Sequence, residues 1–548
     1  MSVIAEELAK KQREVSVAEF FERNRHLLGF DNKRKALLTV VKEAVDNALD
    51  ACEEARILPD ISVEVIDMTN DRFRIIVEDN GPGIVKKNIP NVFAKLLYGS
   101  KFHAMKQSRG QQGIGISAAV LYAQLTTGRP AKITSKISKD HPAEYFELHL
   151  DTQKNAPEIV KEEQKVWKKE HGVKIELDIS ATYQKGDQSV DTYLKETAIV
   201  NPHATIIYTS PKAEQLVFPR ATDKLPIQPH EIKPHPEGVE LGRMQKMLKF
   251  TESRTLQSFL TNEFSRVGPN TAKEICQNAT LLPQMKPSDM QLADMEKLMD
   301  GITKTKIMAP PTDCVVPIGA DLLEKGLKKE IAAEFYTSVT RSPSVYRGTP
   351  FVVEIALAYG GAQPADQSIT VLRFANRVPL LYQQSACASF KSVLGINWKP
   401  YGLQQSQGAL PSGPLTIAVH LASVWPPFTS EAKEAIAHYP EIVKEMKLAL
   451  QECGRKLGLY VNKKRRAQEE QERVNIFEVY IPEVAASVAE LAGEKKEKLL
   501  ESLQKMLAKN KEFIAKHKGQ EVTENKHEKK DAEDQVSLKR FAERDDND

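Results

Sequence analysis

Along residues 17 to 58 apolar side chains return at steps of three and four, most regularly through KALLTVVKEAVDNALDACEEARIL, and that spacing predicts helix. The period then changes to two. ISVEVIDM and RFRIIVED read as strands, and AKITSKI, EYFELHL and GVKIELDI repeat the pattern. Helix first and then mostly neighbouring strands predicts an α+β sandwich up to about residue 225. The Pro-rich piece LPIQPHEIKPHPEG reads as a linker, because each Pro blocks helix and ladder continuation. From 239 to 306 the pattern is helical and compact, and IMAPPTDCVVP marks another boundary. Residues 312 to 480 mix strands (PFVVEIALAYG, ITVLRFANRVPLLY, PLTIAVHLASVW) with helix in SEAKEAIAHYPEIVKEMKLALQECGRKLGLYV. From 484 to about 517 the chain reads as a charged amphipathic helix. GQEVTENKHEKKDAEDQVSLKRFAERDDND then has too few apolar residues to offset the entropy of ordering, which predicts a disordered tail. There is no internal repeat.

Composition narrows this picture only a little. The 548 residues are 41% hydrophobic and 28% charged, a globular balance with ample core. Lys plus Arg less Asp plus Glu is 77 − 74 = +3, so any nucleic-acid surface must be a local patch. The five Cys lie far apart with no Cys-x-x-Cys pair, which favours a reducing compartment over disulfides or a zinc site. The N-terminus MSVIAEELAKKQREVSV lacks an apolar signal core, and the longest apolar runs are too short to span a bilayer. Together these predict a soluble intracellular protein with no membrane partner.

The candidate chemistry lies early in the chain. In KEAVDNALDAC, Glu43, Asn47 and Asp50 fall at i, i+4 and i+7 and so share one helix face. In RFRIIVEDNGPGI a buried strand ends abruptly on Asp79 and a turn containing Gly81 and Gly83. Read alone, the first is equally a wet helix face and the second ordinary turn chemistry. No G-x-x-x-x-G-K-[ST] is present, which excludes a P-loop. GIGISA at 113 to 118 fits a loose dinucleotide pattern, but polar KFHAMKQSRGQQ precedes it where that fold needs a strand.

Taken in order, the acid–amide helix, the strand ending in Asp-Asn-Gly-Pro-Gly and SRGQQGIGIS resemble the three motifs of the GHKL ATPases. That superfamily includes gyrase-type topoisomerases, Hsp90 chaperones, MutL proteins and sensor histidine kinases. The resemblance implies a Bergerat α/β sandwich that hydrolyses ATP with Mg²⁺. Asp79 would accept from the adenine amino group, with Gly81 and Gly83 letting the backbone lie close to the base. Asn47 would offer one oxygen to Mg²⁺, which keeps waters and phosphate oxygens besides. Glu43 would orient and deprotonate the attacking water. Arg109, Gly110, Gln111, Gln112, Gly113, Ile114, Gly115 and Ile116 would supply backbone N–H groups to the phosphates, closed by a helix starting near Ile116. Ser100 and Lys101 would also touch nucleotide, and the span 99 to 112 reads as a flexible lid that orders on ATP.

The layout along the chain selects within the superfamily. Glu43 sits too early for a sensor kinase, and no metal-binding breakage module follows as in gyrase-type enzymes. A helical insert, with SRVGPNTAKEI similar to a helix-two-turns-helix turn, separates it from MutL. With LRFANRVPLLY, INWKPYG and WPPFTSEAKEAIA, the chain resembles the B subunits of DNA topoisomerase VI, the type IIB topoisomerases, over about residues 1 to 480. The domains implied are a GHKL ATPase with N-terminal strap (1–228), a helix-two-turns-helix insert (229–308), a ribosomal-S5-like α/β transducer (309–482), and a helix with disordered tail (483–548). By this resemblance Lys433 contacts the γ-phosphate from the transducer. Locally, PFTSEAKEA reads as a helix start capped by Thr429 or Ser430, where a Lys is normally solvated. The implied function is an ATP-driven homodimeric gate that passes duplex DNA through a break made by a separate A subunit, in a heterotetramer with two copies of each. Such a protein would sit in the cytoplasm with the nucleoid, or in the nucleus of a eukaryote. A non-topoisomerase clamp, MutL-like or Hsp90-like, stays open. Candidate DNA contacts are Arg254, Arg266 and Lys273 in the insert and Trp398, Lys399 and Tyr401 in NWKPYG, each also readable as an ordinary surface cation or core aromatic.

Overall fold

In the computed structural model, which describes residues 15–99, 101, 104–110, 113–430 and 432–509, the strand alternation of the early chain builds one mixed sheet. Its strands are β1 (Asp60–Asp67), β2 (Arg72–Glu78), β3 (Ala131–Lys136), β4 (Ala143–Asp151), β5 (Ala156–Lys165), β6 (Gly172–Ser180), β7 (Thr205–Thr209) and β8 (Gln215–Phe218). They run in the order β5-β4-β3-β6-β2-β1-β7-β8. Ile61, Val63 and Val65 of β1 and Phe73, Ile75 and Val77 of β2 turn to one face and are buried, with Ser62 paired opposite Glu78 in the register. That face is covered by helices Lys33–Glu54, Gly115–Thr127 and Val190–Val200, whose Val41, Leu49, Ala119 and Leu194 complete one core. All five sequence-predicted strands are present. β5 was not legible, because APEIVKEEQK lies at the sheet edge with most of its side chains exposed and shows no apolar face.

Residues 239 to 306 form four short helices, Leu241–Phe250, Leu256–Glu263, Pro269–Asn278 and Leu292–Lys304, around a separate core that includes Phe259, Leu260, Ile275 and Leu298. A second sheet follows, from β9 (Phe335–Thr340), β10 (Ser344–Tyr346), β11 (Thr349–Tyr359), β12 (Thr370–Ala375), β13 (Val378–Pro379) and β14 (Leu415–Ser423). Its order is β10-β11-β14-β12-β13, with β9 also on β11. Strands β11 and β14 are buried along almost their whole length, which explains their mostly apolar sequences, and the exceptions Glu354 and His420 pair with each other. Helix Ala320–Glu330 packs between this sheet and helix Val190–Val200, so close that a Cβ on Gly326 would lie 2.0 Å from the carbonyl of Ile199.

One helix, Pro440–Ala492, runs through residues 482 and 483, where the sequence suggests a domain boundary. The chain divides into two compact units between Leu457 and Gly458. The expected helix start at PFTSEAKEA is not observed. The described residues on either side of position 431 instead fold back on each other, with Phe428 bridged to Ile436 and Thr429 N–H donating to Ala435 O at 2.9 Å. Helix begins only at Pro440, whose fixed φ and missing N–H suit a first turn. The tail beyond 509, like residues before 15, lies outside the described residues.

Candidate functional site

Helix Lys33–Glu54 is set by Asn32, whose side chain caps it by accepting from Lys35 N–H at 2.9 Å. Its apolar positions are consumed by the core, which leaves Glu43 and Asn47 on a cavity of about 950 Å³. Lys42 Nζ lies 3.1 Å from Glu43 and 3.6 Å from Asp46. Burial opposes ionisation of Glu43, but Lys42 and Lys433 outweigh it and hold the carboxyl below its usual range. Glu43 is therefore a carboxylate at neutral pH. Asp50, expected on the same face, is turned instead to Lys101 at 2.9 Å and Arg109 at 2.7 Å.

Asp79 ends β2 inside the same cavity and is 7% exposed. Its Oδ1 accepts from Gly81 N–H at 2.8 Å and Val173 N–H at 3.1 Å, which leaves Oδ2 to meet a ligand. Burial raises its pKa to about 6 against the pull of those two donors. Asn80, next in the motif, is structural. It accepts from Asp60 N–H at 2.8 Å and donates to Leu58 O at 3.0 Å, pinning the start of β1. The glycines serve the protein's own packing rather than only a ligand. Gly83 has φ +70°, and a Cβ there would lie 2.1 Å from Lys136 O. A Cβ on Gly81 would press Asp79 Oδ1 at 3.0 Å.

The cavity is also lined by Gly99, Lys101 and Gly110 and by Lys433. Helix Gly115–Thr127 starts one residue before the expected Ile116, directly over the acid. A Cβ on Gly115 would fall 1.8 Å from Glu43 Oε2. Gly110, Gly113 and Ile114 line the cavity beside it. Lys433, at the tip of the 428–436 loop with φ +54°, donates through Nζ to Arg109 O at 3.0 Å. Burial pushes its ammonium down and Glu43 holds it up. The neighbouring Glu434 anchors the loop, pairing with Lys35 and accepting from Gln383 Nε2 at 2.6 Å.

Several sequence expectations change here. Of the span 99 to 112, residues 105 to 108 are bonded rather than loose. Met105 O accepts from Ile232 N–H, Gln107 N–H donates to Cys314 O, and Gln107 Oε1 accepts from Val316 N–H. The Arg109 guanidinium is spent on Asp50, Glu53 at 2.6 Å and Asn201 at 2.5 Å, and Arg109, expected at the phosphates, is not among the residues that line the cavity. Ser100, Gln111 and Gln112 lie outside the described residues. Trp398 is fully buried with its indole N–H on Val393 O at 3.0 Å, which removes it as a stacking platform. Tyr401 is half-buried, edge-on to Trp398, and fills the space over Gly454. Lys399, Arg254, Arg266 and Lys273 are exposed, Arg266 with its Nε on Ala309 O at 3.1 Å. Sequence reading missed Lys42, Glu53, Asn201 and Glu434, whose partners are mostly remote in the chain.

Among the described residues no cluster of His, Cys, Asp or Glu could hold a metal ion by itself. A single exposed amide oxygen at Asn47 suits only a cation carried mainly by phosphate and water.

Residues 32–154 match the family of histidine kinase-, DNA gyrase B- and HSP90-like ATPases, and residues 310–473 match the topoisomerase VI B subunit transducer. The B subunit of type 2 DNA topoisomerase 6 from Methanococcoides burtonii is 54% identical over 488 residues, covering 89% of this chain and 78% of the relative. That of Methanosarcina mazei is 54% identical over 487 residues, with 89% and 78% covered. The Archaeoglobus fulgidus protein is 50% identical over 485 residues, with 88% and 80% covered.

Proposed function

The chain belongs to the family of type 2 DNA topoisomerase 6 B subunits, and from that premise we propose that it is the ATP-binding subunit of a type IIB topoisomerase, hydrolysing ATP to drive duplex passage. The observation that carries this reading is the convergence of Glu43, Asn47, Asp79 and Lys433 on one cavity. Asp79 Oδ2 accepts the adenine amino group. The start of helix Gly115–Thr127 points N–H groups at the phosphates. Glu43 orients the attacking water and takes its proton. Lys433 leaves Arg109 O for the γ-phosphate, so the loop reads triphosphate against diphosphate. Asn47 would hold Mg²⁺ together with phosphate oxygens, and the ion would supply charge neutralisation at the phosphates.

Two copies close on ATP, with Phe20 and Leu27 of the N-terminal segment covered by the partner. A separate A subunit makes the DNA break, and the heterotetramer holds two of each chain. The long helix Pro440–Ala492 carries Ile476, Phe477, Val479 and Tyr480, all more than half exposed, which supplies apolar surface for such a partner. Arg254, Arg266, Lys273 and Lys399 are offered to DNA phosphate, and the place of work is the nucleoid. No described helix is long and apolar enough to cross a membrane. The test is supercoil relaxation by the chain together with an A subunit. Relaxation should need both proteins and ATP, and a non-hydrolysable analogue should turn monomer into dimer in sedimentation. Relaxation without ATP, or an unchanged monomer, would remove the gate.

A further inference from the structure

The structure sets a turn of the second sheet against the stem of the lid. Strands β12 and β13 are joined by two residues, Asn376 and Arg377, with φ +48° and +65°. A two-residue hairpin needs this left-handed backbone and ordinarily uses Asn-Gly, since Gly alone is free of strain there. Arg at the second position keeps the strain, and strain of this kind gathers at functional places.

The surroundings show what the turn touches. Asn376 Nδ2 donates to Ser108 O at 3.0 Å and to Ser423 O at 2.8 Å, and its Oδ1 accepts from Ser423 N–H at 2.9 Å. The carbonyl of Arg377 accepts from Asn201 Nδ2 at 3.2 Å, and Asn201 Oδ1 takes the Arg109 guanidinium. Arg377 N–H donates to His420 Nε2 at 3.0 Å, which fixes the tautomer in which Nδ1–H donates to Glu354 at 2.8 Å. Glu354 lies on β11 and also accepts from Ile318 and Gly319 N–H, and the Arg377 side chain holds the same segment by donating through Nη2 to Pro317 O at 3.2 Å. Asn201, Asn376, Arg377, His420 and Glu354 are all buried. A continuous line of hydrogen bonds thus joins Ser108 and Arg109 to the middle of the second sheet, and Arg109 O is the acceptor of Lys433.

We infer that Asn376 and Arg377 are positioning residues for ATP turnover: their turn sets the lid stem at Ser108 and Arg109, and with it the register of Lys433 on the site. The inference rests on the ATPase reading above. The two residues touch no reacting atom and act through Lys433.

The test uses the full chain and the variants Asn376→Gly, Arg377→Gly and Arg377→Lys, with kcat, KM and thermal unfolding measured for each. Both glycine variants relieve left-handed backbone but give up buried hydrogen bonds, so melting should fall by several degrees and turnover is measured well below the melting range. KM should stay within about threefold while kcat drops about tenfold or more, since small misplacements remote from the chemistry reach ~10²-fold. Arg377→Lys should recover most of the loss. Adding Asn376→Gly to Lys433→Ala should cost no further turnover, because both act on one contact. The inference is overturned if kcat stays near wild type, if its loss is accounted for by the unfolded fraction at the assay temperature, or if it adds to that of Lys433→Ala. Should Asn376→Gly not fold, Arg377→Gly against Arg377→Lys decides by the same criteria. Wild-type turnover that neither Glu43→Gln nor Lys433→Ala alters would overturn the ATPase reading itself, a different result from turnover sensitive to those two and indifferent to the turn.

Discussion

The two ends of the cavity are built in opposite ways. At the Asp79 end every determinant comes from one sheet. The residue closes β2, and its two donors, Gly81 and Val173, lie on the same turn and on adjacent β6. At the Lys433 end nothing is local. The ammonium crosses 324 residues to reach Arg109 O, and its loop is tied down by Glu434 to Lys35 and Gln383. The first end is preorganised by strand pairing and exists whenever the sheet does. The second exists only while two sheets are docked, so it alone can report on their relation. Binding should therefore reside at one end and coupling at the other.

The strongest challenge to that division is Glu43→Gln. It should lower turnover about 10²–10⁴-fold with nucleotide affinity retained, because a positioned base is lost and no binding contact is. Pre-steady-state hydrolysis with equilibrium binding on the same preparation checks this, and wild-type turnover would refute the assignment. Lys433→Ala should cost about 10²-fold in turnover, the usual scale for one charge-stabilising donor, and leave affinity nearly unchanged. Small-angle scattering with ADP and with an ATP analogue should show a shape change in wild type that the variant lacks. Asp79→Asn should do the reverse, weakening ATP by about 1–3 kcal/mol because an amide donor faces the amino group, with little effect on the bound-state rate. Titration with ATP and GTP side by side measures it.

The smallest effect is on pH. Asp79 titrates near 6 because it is buried, and a ligand that donates to its carboxylate binds the ionised form. Affinity should fall as pH drops through 6, by roughly fourfold from pH 7 to pH 5.5, with proton release on binding in that window. Asp79→Asn should flatten the profile. The ionised group is also a cost to the unliganded fold: its raised pKa means stability declines as pH rises from about 4 through 6. Thermal melts of wild type and variant across that range test the sign.

This division also explains what the sequence made legible. Glu43, Asn47 and Asp79 lie in stretches whose period of three to four or of two places them without knowledge of the rest. Lys433 was readable only through family resemblance, and its local structure was misread. Ser, Glu and Ala after a Pro pair do look like a capped helix, but Glu434 gains Lys35 and Gln383 by staying in a loop, and tertiary pairing outweighs propensity. For Trp398 the sequence left a DNA contact and a core aromatic both open, and the structure decides for the core, with the indole N–H on Val393 O. Arg109, Glu53, Asn201 and Arg377 come from four separate elements, so no window of sequence contains their network.

The missing side chain at Gly115 has a consequence for how this site can vary. A methyl group there would sit 1.8 Å from Glu43 Oε2, inside the carboxylate. Glu43 can make room only by swinging into the cavity away from Lys42, and the helix behind Gly115 is packed through Ala118, Ala119 and Val120. A substitution must therefore either turn the carboxylate out of its place or shift that helix. The clearance between helix and acid is thus fixed by a hydrogen atom, and drift in sequence at this position would be felt first in where the carboxylate points.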